Sequence, residues 1–211
     1  MIGNVRTWGD FDIQEYQLNG QIIEKALDDG IHIYGMENAN AYTFETVKNV
    51  PMRGLCPVFT AVESPDVASE LRQNGMTLPI LVLQQPNIND AAEYVKILHR
   101  SFLAQSAETL EVVRALQGKV MIYGGVLRLH LKVNMSSGGS GFHYLNDGDS
   151  IEDLIASMSL GGTYCEGIFT ELSRKDTIEE NDKKINAFIK LADKLEDATG
   201  KPFAVKHFFL K

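Results

Sequence analysis

VLRLHLKVN, residues 126–134, alternates between apolar and polar side chains from Leu127 to its end. Successive residues of a strand point to opposite faces, so Leu127, Leu129, Leu131 and Val133 share one face. Arg128, His130, Lys132 and Asn134 share the other. In an open parallel sheet, helices cover both faces and both should be apolar. A barrel strand needs only its outer face apolar, and its inner face can turn polar near the mouth of a ligand site. The stretch therefore favours a (β/α) barrel over a doubly wound open sheet.

Strand-like and helix-like runs alternate from residue 30 onward. Strands are expected at IHIYGM (31–36), PVFTAV (57–62), PILVLQ (79–84), SFLAQS (101–106), VLRLHLKVN, YCEGIFT (164–170) and PFAVKHFF (202–209). Helices are expected at SPDVASELRQNG, INDAAEYVKILH, SAETLEVVRALQG, SIEDLIASM and TIEENDKKINAFIKLADKLEDATG, with an earlier one in DIQEYQLNGQIIEKALDDG. In the longest, Thr177 and Glu180 form a capping box. Ile185, Phe188, Ile189, Ala192 and Leu195 follow at helical spacing, and Gly200 and Pro202 end the helix. Ser64 caps another, with Pro65 in its first turn and Gly75 after its end. Such alternation means a parallel sheet covered by helices. The expected fold is thus α/β, a TIM-like barrel of about seven strands and so incomplete, formed by residues 1–211 as one domain. SSGGSG (136–141) reads as a flexible loop after its strand.

The 211 residues carry 44% hydrophobic side chains and a net charge of −8, with no basic run. That excludes disorder and argues against nucleic acid as a partner. Cys56 and Cys165 have no metal-type spacing, which fits a reduced, cytoplasmic chain. No apolar segment has membrane-spanning length, and no signal sequence is read at the start. His130, between leucines, reads as a hydrogen-bonded interior histidine, and no metal site is expected. His32, His99, His143 and His207 form no recognisable cluster with it.

The first strand runs into GMENANAYTFE (35–45), the place where α/β enzymes carry their chemistry, yet the residue there is Asn38. Asn38 has no ionisable group, and its plain role is to satisfy backbone groups at a strand end. A buried Lys132 needs a partner, for which Glu166 and Glu171 are the candidates.

Several of these stretches resemble the alanine racemase family in the correct order along essentially the whole chain. They are RTWGDFDIQEYQLN (6–19), NANAYTF (38–44), ESPDVASELRQNGMTLPILVLQQPN (63–87), LRLHLKVNMSSGGSGF (127–142) and CEGIFTELSRKD (165–176). The resemblance implies a fold-type III barrel, which in the family holds pyridoxal phosphate. It also implies that Asn38 stands where the family's Schiff-base lysine would be. An amide has no nucleophilic amine and cannot make that link. By the same matching, Gly139 falls near the family's arginine, Asn134 on its aspartate and Glu171 on its histidine. Tyr42 and Lys132 keep the family residue types. With Asn134 they are the candidate contacts to a cofactor or a small anion, whereas covalent cofactor is not expected. The match ends at VKHFFLK, and neither an eighth strand nor the family's C-terminal β-domain is expected. The function implied is a degenerate or engineered barrel without racemase chemistry that binds a small anionic ligand. Two alternatives stand beside it: a racemase using a displaced lysine, Lys132 or Lys206, and a regulatory or interaction subunit. An open barrel edge also leads to the expectation of a homo-oligomer.

Overall fold

A computed structural model describes residues 33–36, 59–145, 150–173 and 175–210. Among these, eight strands form one curled sheet: β1 (Ile33–Met36), β2 (Phe59–Val62), β3 (Ile80–Val82), β4 (Ala104–Ala107), β5 (Leu127–Asn134), β6 (Phe142–His143), β7 (Thr163–Leu172) and β8 (Val205–Leu210). Five helices accompany them: α1 (Pro65–Gln73), α2 (Ala91–Arg100), α3 (Leu110–Ile122), α4 (Ile151–Ser159) and α5 (Ile178–Thr199). The sheet order is β1-β2-β3-β4-β5-β7-β8, with β6 attached to β5. This is an incomplete TIM-like barrel, as the polar face of β5 suggested.

One pairing departs from the expected parallel sheet. β1 runs antiparallel to β2, with Ile33 opposite Val62 and Met36 opposite Phe59. Parallel neighbours need a crossover, usually a helix, and antiparallel neighbours do not. The sequence after the first strand leads toward a helical region, and residues 37–58, where that falls, lie outside the described residues. From β2 onward every pair is parallel.

The caps act as their residue types dictate. Ser64 Oγ accepts from the Val67 amide at 3.3 Å, with Pro65 in the first turn of α1. Thr177 and Glu180 make both arms of the capping box, Glu180 Oε2 to the Thr177 amide at 2.7 Å and Thr177 Oγ1 to the Glu180 amide at 3.2 Å. Gly200 ends α5 with φ 65°, a left-handed conformation that glycine adopts without strain. The apolar face of α5 differs in part from the sequence reading: Leu191 is buried, and Ile189 is 37% exposed. Helix α3 begins later and ends later than its sequence suggests. Thr109 caps it, and it continues through Gly118. A Cβ at Gly118 would meet nothing within 4 Å, so this glycine costs only propensity, about 1 kcal/mol relative to alanine.

Two apolar layers result. The larger lies between sheet and helices and includes Leu127, Leu129, Leu131, Val133, Ile168 and Phe208. The smaller lines the concave side: Ala61, Leu81, Ala104, Phe169, Val205 and Phe209. No helix among the described residues is long and apolar enough to cross a membrane.

Candidate functional site

The polar face of β5 points into the concave side, and its residues meet partners in three tiers. The lowest tier depends on an irregularity in β7. Leu129 pairs with Cys165 and His130 pairs with Gly167, so Glu166 is an extra residue in the ladder. A bulge of this kind re-aims side chains. In a regular strand Glu166 and Glu171, five apart, would face opposite sides; the bulge turns both inward. Arg128 donates to Glu166 Oε2 from Nε at 2.9 Å and from Nη2 at 2.6 Å. Glu166 Oε1 lies 3.4 Å from His130 Nε2, an ion-pair distance. Burial would raise the Glu166 carboxyl, but the contacts of His130 and Arg128 outweigh it and hold it below the ordinary carboxylate value.

The middle tier is a histidine pair. His130 Nδ1 and His207 Nε2 are 2.8 Å apart, and both residues are fully buried. Glu166 beside Nε2 favours a proton there, which leaves Nδ1 as the acceptor for His207 in the neutral pair. Burial, and then charge on His130, pushes His207 well below its ordinary value. Phe169 stacks on His207 with ring centroids 4.9 Å apart and planes 12° apart. The interior, hydrogen-bonded reading of His130 agrees with this geometry. The expectation that His207 joins no cluster does not, because 77 residues separate the two rings and only the barrel joins them.

The upper tier, at the strand C-termini, centres on Lys132. Its Nζ lies 2.9 Å from Glu108 Oε1, 3.1 Å from Glu171 Oε1 and 3.0 Å from Ser140 Oγ. Ser140 in turn donates to Glu108 Oε1 at 2.8 Å. Burial alone would lower the ammonium's value, but the hydrogen bond to Glu108 and the charge of Glu171 raise it above the ordinary one. Of the two partners expected from sequence, Glu171 is the one that pairs with Lys132. Glu108 and Ser140 were missed, since they come from the end of another strand and from a loop.

That loop is tethered rather than free. Asn134 Oδ1 accepts from the Ser136 amide at 2.9 Å, and its Nδ2 donates to the Gly138 carbonyl at 3.2 Å. Gly141, at φ 124°, packs so closely that a Cβ would lie 2.7 Å from the Lys132 carbonyl. Gly139 also has a positive φ, 100°, but a Cβ there would make only ordinary contact, 3.7 Å from Asn134 Nδ2. Lys206 has the opposite orientation. It pairs in register with Ile168 of the helix-side layer and binds Asp193 and Glu196 of α5, each at 2.9 Å. It does not reach the concave side. Asn38 and Tyr42 lie outside the described residues. No three histidine, cysteine or carboxylate groups among the described residues converge as a metal site.

A family model described as "Alanine racemase, N-terminal domain" matches residues 11–208. The chain belongs to the alanine racemase N-terminal domain family. An alanine racemase of Desulfosudis oleivorans is 29% identical over 150 residues, covering 67% of this chain and 37% of the relative. "Alanine racemase 2" of Caldanaerobacter subterraneus subsp. tengcongensis is 28% identical over 195 residues, covering 90% of this chain and 48% of the relative. Among solved structures, the alanine racemase of Clostridium difficile 630 in complex with cycloserine superimposes with a TM-score of 0.64 at 25% identity. That match covers 93% of this chain and 53% of the other. The chain thus spans about half the length, or less, of these relatives.

Proposed function

We propose that this chain is a family barrel that holds no covalent pyridoxal phosphate and acts as a scaffold without racemase chemistry. The observation that carries this reading is the state of the two lysines that could substitute for an amine at Asn38. Lys132 is clamped as an ammonium between Glu108 and Glu171, and a protonated amine is no nucleophile. Lys206 is turned toward α5 and its two carboxylates. The described residues also do not fit the cofactor's phosphate or phenolate. Two carboxylates, Glu108 and Glu171, flank the Lys132 ammonium at the strand ends, so an anion there would meet them as well. A small anionic ligand would have to displace one of them from Lys132, so a weak anion site is the most that the described residues of this mouth offer.

The test is incubation with pyridoxal phosphate, then borohydride reduction and peptide mapping. The expected result is no pyridoxyl group on Lys132 or Lys206. An adduct on either, together with solvent deuterium entering L-alanine, would restore the racemase reading.

A second reading, self-association, is favoured by the end of the barrel where the strands begin. Phe102, Met121, Ile122, Tyr123, Val126 and Tyr164 are all exposed there, and Phe102 and Val126 border one shallow depression with His99 and Arg128. Arg100 and Lys119, in the last turns of α2 and α3, add positive charge beside this apolar surface. A second copy, at net charge −8, offers acidic surface to complement it. Sedimentation should then show an associated species that Ile122→Glu converts to monomer. A wild-type monomer at high concentration would remove this reading.

A further inference from the structure

The loop between β5 and β6, residues 135–141, sits over the end of β4. Val133 pairs with Thr170 of β7 on one side and with Phe142 on the other, so β6 takes the place that β4 leaves after Ala107. The loop is fastened at both ends. At its start Asn134 holds the Ser136 amide and the Gly138 carbonyl. Lys184 of α5, itself bound to Asp176 Oδ2 at 2.6 Å, donates to Ser136 Oγ at 3.1 Å. At its end Gly141 lies against the Lys132 carbonyl, and Phe142 enters the sheet. Between these ends Ser140 reaches the charged cluster. It accepts from Lys132 Nζ at 3.0 Å and donates to Glu108 Oε1 at 2.8 Å.

An ammonium has three protons to donate. Lys132 Nζ already has three acceptors around it: Glu108 at 2.9 Å, Ser140 at 3.0 Å and Glu171 at 3.1 Å. A further acceptor must therefore take an occupied place. The two carboxylates differ in how readily they yield one. Glu171 stands inside β7, paired with Phe209 of β8. Glu108 follows Ala107, the last residue of β4, so its backbone has left the ladder. An anion arriving at Lys132 repels both, and the one with the freer backbone gives way. Glu108 uses the same oxygen for Lys132 and for Ser140. Drawing that oxygen from the ammonium draws the hydroxyl of the loop with it.

We propose that the 135–141 loop is a strap latched by Ser140, and that a small anion replacing Glu108 on Lys132 undoes the latch and uncovers the concave side above β4. The proposal rests on the reading of Lys132 as a weak anion site. It adds that filling the site and freeing the strap are one event. The coupling is reciprocal: if the anion must undo the latch, a strap without its latch binds the anion more tightly. Removing one ordinary hydrogen bond sets the gain at about fivefold. The start of the strap does not take part, because Asn134 and Lys184 hold it independently of Lys132.

Titration of the whole chain with sodium sulfate at constant ionic strength, followed by nitrogen-15 magnetic resonance, tests this. The Lys132 Nζ signal reads anion binding, and backbone relaxation reads the strap. As the Lys132 signal moves, the order parameters of Gly139 and Ser140 should fall from about 0.85 to below about 0.6, with Ser136 unchanged. Ser140→Ala, a change at an exposed loop position, should be loose before sulfate is added and bind it about fivefold more tightly. A Lys132 signal that moves while Gly139 and Ser140 stay ordered overturns the latch and leaves the anion site standing. So does a Ser140→Ala variant that binds sulfate no more tightly. A Lys132 signal that never moves removes the anion site itself, and the latch with it.

Discussion

Replacing Glu166 by glutamine should destabilise the chain by about 3 kcal/mol at neutral pH. Breaking a buried ion pair costs about 3–5 kcal/mol, because the remaining charge is left without compensation. The Glu166 side chain is fully buried, but that of Arg128 keeps 23% of its exposure, so the lower end applies. Glutamine fills the same space and can still accept a hydrogen bond, which isolates the charge as the variable. In a chain of this size the loss corresponds to roughly 6–12 °C in melting temperature. The pH dependence separates charge from packing. A carboxyl whose folded value is depressed stabilises the fold above its unfolded value and loses that contribution as the pH falls through the folded one. The deficit of Glu166→Gln should therefore be full near pH 7 and shrink in acid. Thermal melts at both pH values check it, and an equal deficit in each would mean that the pair contributes packing only.

Much of the scaffold was legible in the sequence, because alternation, caps and turn residues act locally. Ser64, Thr177 with Glu180, and Gly200 act in the structure as their types imply. The two faces of β5 could be read from period-two alternation alone, and they separate the helix-side layer from the polar interior. What escaped the sequence was every feature that depends on register between distant segments. Nothing in CEGIFTE marks Glu166 as an extra residue. Without the bulge, parity would send either Glu166 or Glu171 toward the helices, and both could not serve the interior. With it, one carboxylate serves Arg128 and the other serves Lys132.

The lysines show the same limit from the other side. Lys132 and Lys206 were both plausible amines on barrel strands, and parity within each strand decides between them. Phe169 and His207 share the concave side, so Lys206, one residue before His207, faces out. The register could not be read in PFAVKHFF, where aromatic residues stand on both faces.

Gly167→Ala should cost as much as the loss of the Glu166 charge, although it adds a single methyl group. The new Cβ would stand 2.4 Å from His130 Nδ1 and 2.6 Å from both Cε1 and Cγ, closer than real Cβ atoms approach any heavy atom. His130 cannot swing aside as a flexible surface side chain would. Its ring is fully buried, with Glu166 on one nitrogen and His207 on the other. Overpacking of this kind costs typically about 1–3 kcal/mol. Displacing the ring also breaks a buried hydrogen bond, about 1 kcal/mol more, and leaves its partner unsatisfied. The sum is about 3 kcal/mol, to be read from chemical denaturation at neutral pH. A second substitution identifies the cause. In His130→Ala the space for the new methyl exists, so Gly167→Ala should be nearly neutral in that background. The double-mutant cycle would then give an interaction energy close to the whole cost of Gly167→Ala. Simple additivity would show that the glycine is required by the bulged backbone and not by the ring that crosses it.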